Sequence, residues 1–370
     1  MIFVAPTAFK EALGPVAASR AIAAGLKSSL KKEKIELYPL SDGGDGFLEC
    51  ISYYLKGQRL RNVSLTVTGP TGKPVKTTAL VREKQAFLES ASVLGLRLLA
   101  DEERAPLATT SRGLGEAIVE LLNRGMEEVV VGLGGSSTVD GGKAALEALG
   151  IKFFDIDGKE LGEGPQELAR LKKIDFSGID ERIKRQVQIL WDVDNPLLGP
   201  HGTLVYAPQK GALPQDIKIL EKALARYAEV AELAIAHRLD HRRGMGAAGG
   251  IAFGFASLTG CKTMSGADFL LRLSGLRDKL KKDDVIISGE GKLDKQSLSY
   301  KVVGSLRRLP HRRLILLCGE IAVQIAPRDK RTAAFSIQPG PIDRSRAMTE
   351  TREHLKQTAT QIGRLLSSER

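Results

Sequence analysis

Met1-Ile-Phe-Val-Ala-Pro-Thr-Ala-Phe-Lys10 and Asp284-Val-Ile-Ile-Ser-Gly-Glu-Gly-Lys-Leu-Asp294 stand far apart in the chain and share one plan. Each holds a short apolar run, Ile2 to Val4 and Val285 to Ser288, that gives way to small residues and then to a helix-like stretch. An apolar run bounded by turn residues reads as a strand covered on both faces, the habit of parallel sheets. Outward from the first run, Gly14-Pro15 opens a helix, with proline at a first-turn position where no N–H is needed. Ile22, Leu26 and Leu30 lie on one stripe of that helix, and Ile35 to Leu40 is the next strand. Outward from the second run, Leu314 to Cys318 and Ala333 to Ile337 are strands, and a last helix occupies roughly residues 344–366. Five strands from the two ends fit a flavodoxin- or Rossmann-like parallel sheet.

The middle of the chain reads differently. Val63 to Thr68 and Val75 to Val81 flank the turn Gly69-Pro-Thr-Gly72, and Phe87 to Glu89 is a third strand. A helix is expected from Ser111 to Asn123, then a strand from Glu128 to Val131, a glycine loop and a helix ending at Leu149. Gln186 to Trp191 is a strand, Gln215 to Arg238 a long helix, and the glycine run Gly244 to Gly250 opens another helix, with close packing its preferred role. The expected architecture is α/β in two domains. Residues 1–60 and 280–370 form a discontinuous parallel-sheet domain, and residues 61–279 form an inserted mixed-sheet α/β domain.

Length agrees with two domains, since 370 residues exceed the roughly 250–300 at which one core stops growing. The three cysteines, Cys50, Cys261 and Cys318, are distant and odd in number, which argues against a disulfide framework or a zinc site. No apolar run reaches the roughly 18–20 residues of a membrane span. The opening lacks the features of a signal peptide, so no membrane partner and a cytoplasmic location are expected. The net charge of +11 is scattered in short clusters such as Lys31-Lys32 and Arg312-Arg313. With only 5% aromatic residues there is no stacking platform for nucleic acid. A solvated basic surface is the default reading, an anionic substrate the next.

Four loops gather glycine, hydroxyls and carboxylates at strand ends, where open α/β sheets bind ligands. Gly132-Leu-Gly-Gly-Ser-Ser-Thr138, followed by Asp140-Gly-Gly142, links a strand to a helix. Its glycines let the backbone approach a phosphate, and its hydroxyls add donors. It is not a Walker A loop, because no Gly-Lys-Ser/Thr closes it. Ser41-Asp-Gly-Gly-Asp-Gly46 offers two carboxylates for magnesium or for a proton, or else a turn leading to a helix cap. Asp192-Val-Asp-Asn-Pro-Leu197 offers two more, and Gln209-Lys-Gly211 a cation. Ser288-Gly-Glu-Gly-Lys-Leu-Asp294 is a glycine-rich turn with acid and base, followed by Gln296-Ser297. Phosphate cradle, metal-holding carboxylates, cation and base are the parts that phosphoryl transfer needs.

These loops, with Ala5-Pro-Thr-Ala-Phe-Lys10, Gln209-Lys-Gly-Ala212 and Gly246-Ala-Ala-Gly-Gly250, give the sequence its resemblance to the glycerate kinase family. The resemblance implies ATP as donor, magnesium as cofactor and D-glycerate as acceptor, phosphorylated at the 2- or 3-position with release of ADP. A homodimer stays open. Within that resemblance Lys10 is expected to neutralise the substrate carboxylate or a phosphate, and Asp42 or Asp192 to be the base. Asp45 and Asp294 are candidates for magnesium; Gly134, Gly135, Ser136, Ser137 and Thr138 for the phosphate or carboxylate cradle; Lys210 for transition-state charge; Glu290 for cofactor binding. The sequence departs from the family pattern at Thr7 and Ala8, usually aspartate and serine, at Asp45, usually glutamate, and at Lys143 and Tyr300, usually glycine. Two other readings stand beside the first: a kinase for a related small hydroxy acid, and a non-catalytic nucleotide-binding relative.

Overall fold

In the computed structural model, which describes residues 1–368, Ile2–Val4 is an inner strand of a five-stranded, all-parallel sheet. It pairs in register with Ile35–Leu37 on one side and with Val285–Leu293 on the other. Beyond these lie Arg313–Ile321 and then Thr332–Ser336. Numbered along the chain, the spatial order is 2-1-3-4-5, the flavodoxin arrangement. Ile2, Phe3 and Val4 are buried on both faces, as the unbroken apolar run demands. Helices Pro15–Ser29 and Thr351–Ser368 cover one face with Ile22, Leu26, Leu355 and Ile362 over Val4, Ile287 and Leu317. They approach so closely that a Cβ on Gly25 would sit 2.2 Å from the Lys356 carbonyl oxygen.

The middle of the chain forms a six-stranded mixed sheet. Gln85–Glu89, Glu128–Gly132, Val187–Trp191 and Lys262–Ser265 run parallel, in that order. Arg61–Thr68 and Pro74–Arg82 add an antiparallel hairpin at the Gln85–Glu89 edge. The hairpin turn closes with Gly69 N–H donating to the Lys73 carbonyl at 2.7 Å, and Gly72 takes φ +80°, where glycine carries no steric penalty. A two-stranded antiparallel ribbon, Lys152–Phe154 with Lys173–Asp175, had no sequence signal.

The chain parts into two compact units, residues 1–55 with 267–370, and residues 56–266. Several elements depart from their expected bounds for local reasons. The strand expected to stop at Leu40 stops at Leu37, just before Pro39, which has no N–H for a ladder. The strand expected to end at Ser288 continues to Leu293. Its glycines permit this: Gly289, Glu290 and Lys292 stay paired with Leu317, Cys318 and Glu320. A Cβ on Gly289 would meet the Leu317 carbonyl oxygen at 2.3 Å. The glycine-rich turn expected at 288–294 is therefore strand as far as Leu293. The glycine run leads into helix Ala247–Leu258 through left-handed residues Ala248, Gly249 and Gly250, at φ +52°, +71° and +90°. The last helix is broken at Glu350 into Arg344–Thr349 and Thr351–Ser368.

Candidate active site

In the parallel-sheet unit three loops meet at the C-terminal ends of the central strands, beside the switch point between Ile2–Val4 and Val285–Leu293. Residues 5–10 are pinned to the long strand, with Ala5 N–H donating to Ile287 O (2.8 Å) and Thr7 N–H to Gly289 O (2.9 Å). The Thr7 hydroxyl also donates to Gly289 O, at 3.3 Å, so this departure from the family pattern is spent on backbone. Lys10 is exposed. Leu40 N–H donates to Pro6 O (2.9 Å) and brings up residues 41–46. There Asp42 Oδ1 accepts from Gly44 N–H (3.2 Å), and the Ser41 hydroxyl donates to the Asp45 carbonyl (3.2 Å). Neither aspartate caps the next helix; Gly46, at φ +82°, precedes Phe47–Tyr54.

Glu290 is the perturbed group of this cluster. Its Oε2 accepts from the Ser297 hydroxyl at 2.8 Å, while Oε1 is buried without a partner. Burial raises its pKa to about 7; Asp294 and Asp42 push the same way, and the Ser297 bond and Lys301 oppose. A carboxyl so placed exchanges a proton near neutrality. Asp294 is a helix cap, its Oδ1 accepting from Ser297 N–H (2.8 Å) and lying 3.1 Å from the Ser297 hydroxyl oxygen. That cap fixes the serine which holds Glu290.

In the mixed-sheet unit the glycine–hydroxyl loop and the Asp192 loop leave the same end of two neighbouring parallel strands. Leu133 N–H donates to Leu190 O (2.7 Å) at the point of departure. The stretch does not open directly onto a helix; the next one, Lys143–Ala148, begins only after residues 133–142. Gly135 is exposed and takes φ +60°, while Gly134, Ser136, Ser137 and Thr138 are buried. The Ser137 hydroxyl is occupied by Leu94 O (2.8 Å), and Ser90 Oγ accepts from Gly134 N–H (3.2 Å). Lys210 ends the short turn Pro208–Lys210 and is buried. Its Nζ donates to Ser136 Oγ (3.1 Å) and to the Thr138 carbonyl (2.8 Å). Burial lowers its pKa to about 8, against the pull of Asp192 and Asp140. Burial also raises the pKa of Asp194, with Arg243 opposing. Asn195 ties its loop together, donating to His201 O (2.7 Å).

Asp140 holds this loop from within. Its Oδ2 accepts from the Ser111 hydroxyl (2.6 Å) and Oδ1 from Gly142 N–H (3.0 Å). The glycine run packs behind, as its preferred reading expected: Gly249 O accepts from Gly141 N–H (3.0 Å), and a Cβ on Gly249 would lie 2.0 Å from Thr138 O. Lys143 is buried in a pair with Glu147 and donates to Gly162 O (2.9 Å), so it belongs to packing. Sequence reasoning missed Ser90 and Ser111. Lone serines carry no spacing signal, and their partners lie 44 and 29 residues away.

Among the described residues no three His, Cys, Asp or Glu side chains converge as a metal cage. Magnesium does not require one, since one or two carboxylates plus substrate phosphates commonly hold it. The hard oxygen donors Asp42, Asp45 and Asp294 suit that chemistry. No helix of the described residues is long and apolar enough to cross a membrane.

Comparison with known proteins finds similarity along nearly the whole chain. The model of the glycerate kinase family matches residues 2–367. A glycerate kinase of Bacillus subtilis (strain 168) is 34% identical, covering 98% of this chain and 96% of its own. The glycerate 2-kinase of Escherichia coli (strain K12) is 34% identical over 91% of this chain and 90% of its own. The crystal structure of a protein described as glycerate kinase 2, from Salmonella typhimurium LT2, superposes with a TM-score of 0.76 at 29% identity, covering 100% of this chain and 98% of that one. By sequence and by fold, this chain belongs to the glycerate kinase family.

Proposed function

We propose that the protein transfers the γ-phosphoryl group of ATP to a hydroxyl of D-glycerate, giving phosphoglycerate and ADP. The observation that carries this is the family match over residues 2–367, which includes every loop described above. The two compact units are, in this reading, the two domains of the enzyme, and the protein works in the cytoplasm.

Phosphoryl transfer leaves the protein two tasks, positioning and electrostatics. The acceptor hydroxyl forms a bond to phosphorus, the bond to the ADP oxygen breaks, and the hydroxyl proton passes to a carboxylate. The parallel-sheet unit supplies that carboxylate. Glu290 is best suited, since its pKa of about 7 matches a proton carrier at neutral pH. Asp42, beside it, orients the hydroxyl, and Lys10 neutralises the substrate carboxylate or a phosphate. Asp42, Asp45 and Asp294 are the residues that would hold magnesium, which when bound neutralises phosphate charge.

The mixed-sheet unit supplies anion stabilisation. Lys210, fixed by two hydrogen bonds, is preorganised to meet the charge of an anion bound at its own loop. The glycine loop, at Gly134 and Gly135, gives close backbone approach to an anion, with Ser136 holding Lys210 and with Ser137 and Thr138 shaping the turn. Asp192 balances the Lys210 charge and is the alternative base.

A coupled ADP-release assay with ATP, magnesium and D-glycerate tests the activity. Phosphorus NMR of the product tests the position; the Escherichia coli relative is a glycerate 2-kinase, so 2-phosphoglycerate is the first product to look for. Retained ATP binding with no turnover on D-glycerate would overturn the assignment, and a panel of small hydroxy acids would then identify the acceptor.

A further inference from the structure

At the opposite end of the parallel sheet from Glu290 there is a pocket of about 530 Å³. It sits where two strands begin: Arg312 N–H donates to Asp284 O (2.7 Å), and Leu314 N–H to Arg331 O (2.8 Å). Glu290 pairs with Cys318, five residues further along Arg313–Ile321, or roughly 16 Å at strand rise.

The lining is cationic. Arg307 and Arg308 come from the end of one helix, and Arg328, Lys330 and Arg331 from the loop before Thr332–Ser336. Asp329 is the one carboxylate among them, and Arg307 already holds it at 2.7 Å. Arg328 and Lys330 are exposed, and among the described residues they make no ion pair. Two groups of cations on two segments suit a ligand with two anionic groups better than a single small ion.

His311 adds a different chemistry at the same pocket. Its ring is buried, with Nδ1 2.7 Å from Leu309 O. A nitrogen facing a carbonyl carries the proton, so Nε2 is left as the acceptor. That Nε2 is buried and has no partner. Burial and the nearby Arg331 hold the ring neutral, against Leu309 and Asp329. A buried acceptor without a donor is costly, and a ligand hydroxyl would satisfy it.

We propose that this pocket binds a small hydroxylated organic phosphate carrying two anionic groups, and that its occupancy is felt at Glu290. The connection is short. Arg307 donates to Leu298 O (3.1 Å) and Arg308 to Ser299 O (2.9 Å), the two residues that follow Ser297. Ser297 in turn donates to Glu290. An anion that draws these guanidinium groups toward itself loosens the helix Lys295–Ser299 and with it the hydrogen bond on the carboxyl. The pocket thus acts as a regulatory site, with binding and turnover linked.

The test uses the full chain without nucleotide, titrated calorimetrically with fructose 1,6-bisphosphate and, separately, with inorganic phosphate. One equivalent of the bisphosphate should bind, at least tenfold more tightly than phosphate. Arg328→Glu combined with Lys330→Glu should weaken that binding tenfold or more, while turnover without bisphosphate stays within about twofold. Lys330→Ala, a milder exposed change, should weaken it less. His311→Gln should narrow the preference over inorganic phosphate. With wild type, saturating bisphosphate should change kcat, and the doubly reversed variant should lose that response. No saturable binding to millimolar concentrations, or binding that the charge reversal leaves intact and ATP displaces, would overturn the proposal. Absence of basal turnover would count against the kinase reading instead, and the binding titration would still decide this one.

Discussion

Glu290 in the parallel-sheet unit and Lys210 in the mixed-sheet unit are both buried ionisable groups, and burial drives both toward neutrality. Their company differs. Glu290 has two carboxylates near it, one hydroxyl on one oxygen and nothing on the other. Lys210 has two carboxylates of opposite charge and two hydrogen bonds. Like-charged neighbours compound desolvation, whereas opposite charges resist it. The contrast separates a group that can change protonation from one whose position is fixed and whose charge is supported.

Removing the fixed cation should have the largest effect. Lys210→Met should lower kcat/KM by roughly a thousandfold, as expected for losing a preorganised stabiliser; steady-state kinetics check it, and a loss under tenfold would remove Lys210 from the chemistry.

Glu290→Gln should cut kcat by on the order of a hundredfold, yet make the fold more stable at pH 8. The sign follows from linkage. The carboxyl is near pH 7 in the fold and near 4.5 unfolded, so the folded state holds the extra proton and wild-type stability falls as pH rises through that window. The gain from glutamine should be small below pH 4.5 and reach up to about 3 kcal/mol above pH 7. Lys210 runs the other way: with a folded pKa of about 8 against 10.5 unfolded, its stability contribution improves as pH rises from 8. Urea midpoints of wild type and variant across pH would break the comparison if both shifts had one sign.

Gly249→Ala should destabilise by roughly 2–3 kcal/mol, because its Cβ would collide with Thr138 O and its φ is positive. A calorimetric melt reads this, and lost activity in the surviving fold would show how far the Lys210 cradle depends on it. Smallest is Asp294. Asp294→Asn should keep the cap, costing a few tenths of a kcal/mol, while Asp294→Ala should cost about 1 kcal/mol. A raised magnesium requirement in the asparagine variant would add a metal role to the capping one.

The parallel sheet was legible because strands covered on both faces are written as unbroken apolar runs at both chain ends. The loops were legible as composition, and their internal economy was not. Nothing in Ser-Ser-Thr says that Ser137 turns inward to Leu94 while Ser136 holds Lys210. Nothing in Gly289-Glu-Gly291 says that the strand continues through it, because that depends on a partner strand approaching bare backbone. The cluster Arg312-Arg313 reads as solvated surface, and Arg307-Arg308 nearby carries no spacing signal of its own. Only the fold brings the segment 328–331 against Arg307 and Arg308.

The sheet order also sets a timetable for biogenesis. Ile2–Val4 leaves the ribosome about 280 residues ahead of its neighbour Val285–Leu293, a delay of roughly 15–60 s at typical synthesis rates. Residues 56–266 emerge as a complete unit in that interval. The first apolar strand meanwhile has only Ile35–Leu37 beside it and an open edge on the other side, the kind of surface that holding chaperones protect. The strand that must pair with the centre of the sheet is the one kept waiting longest.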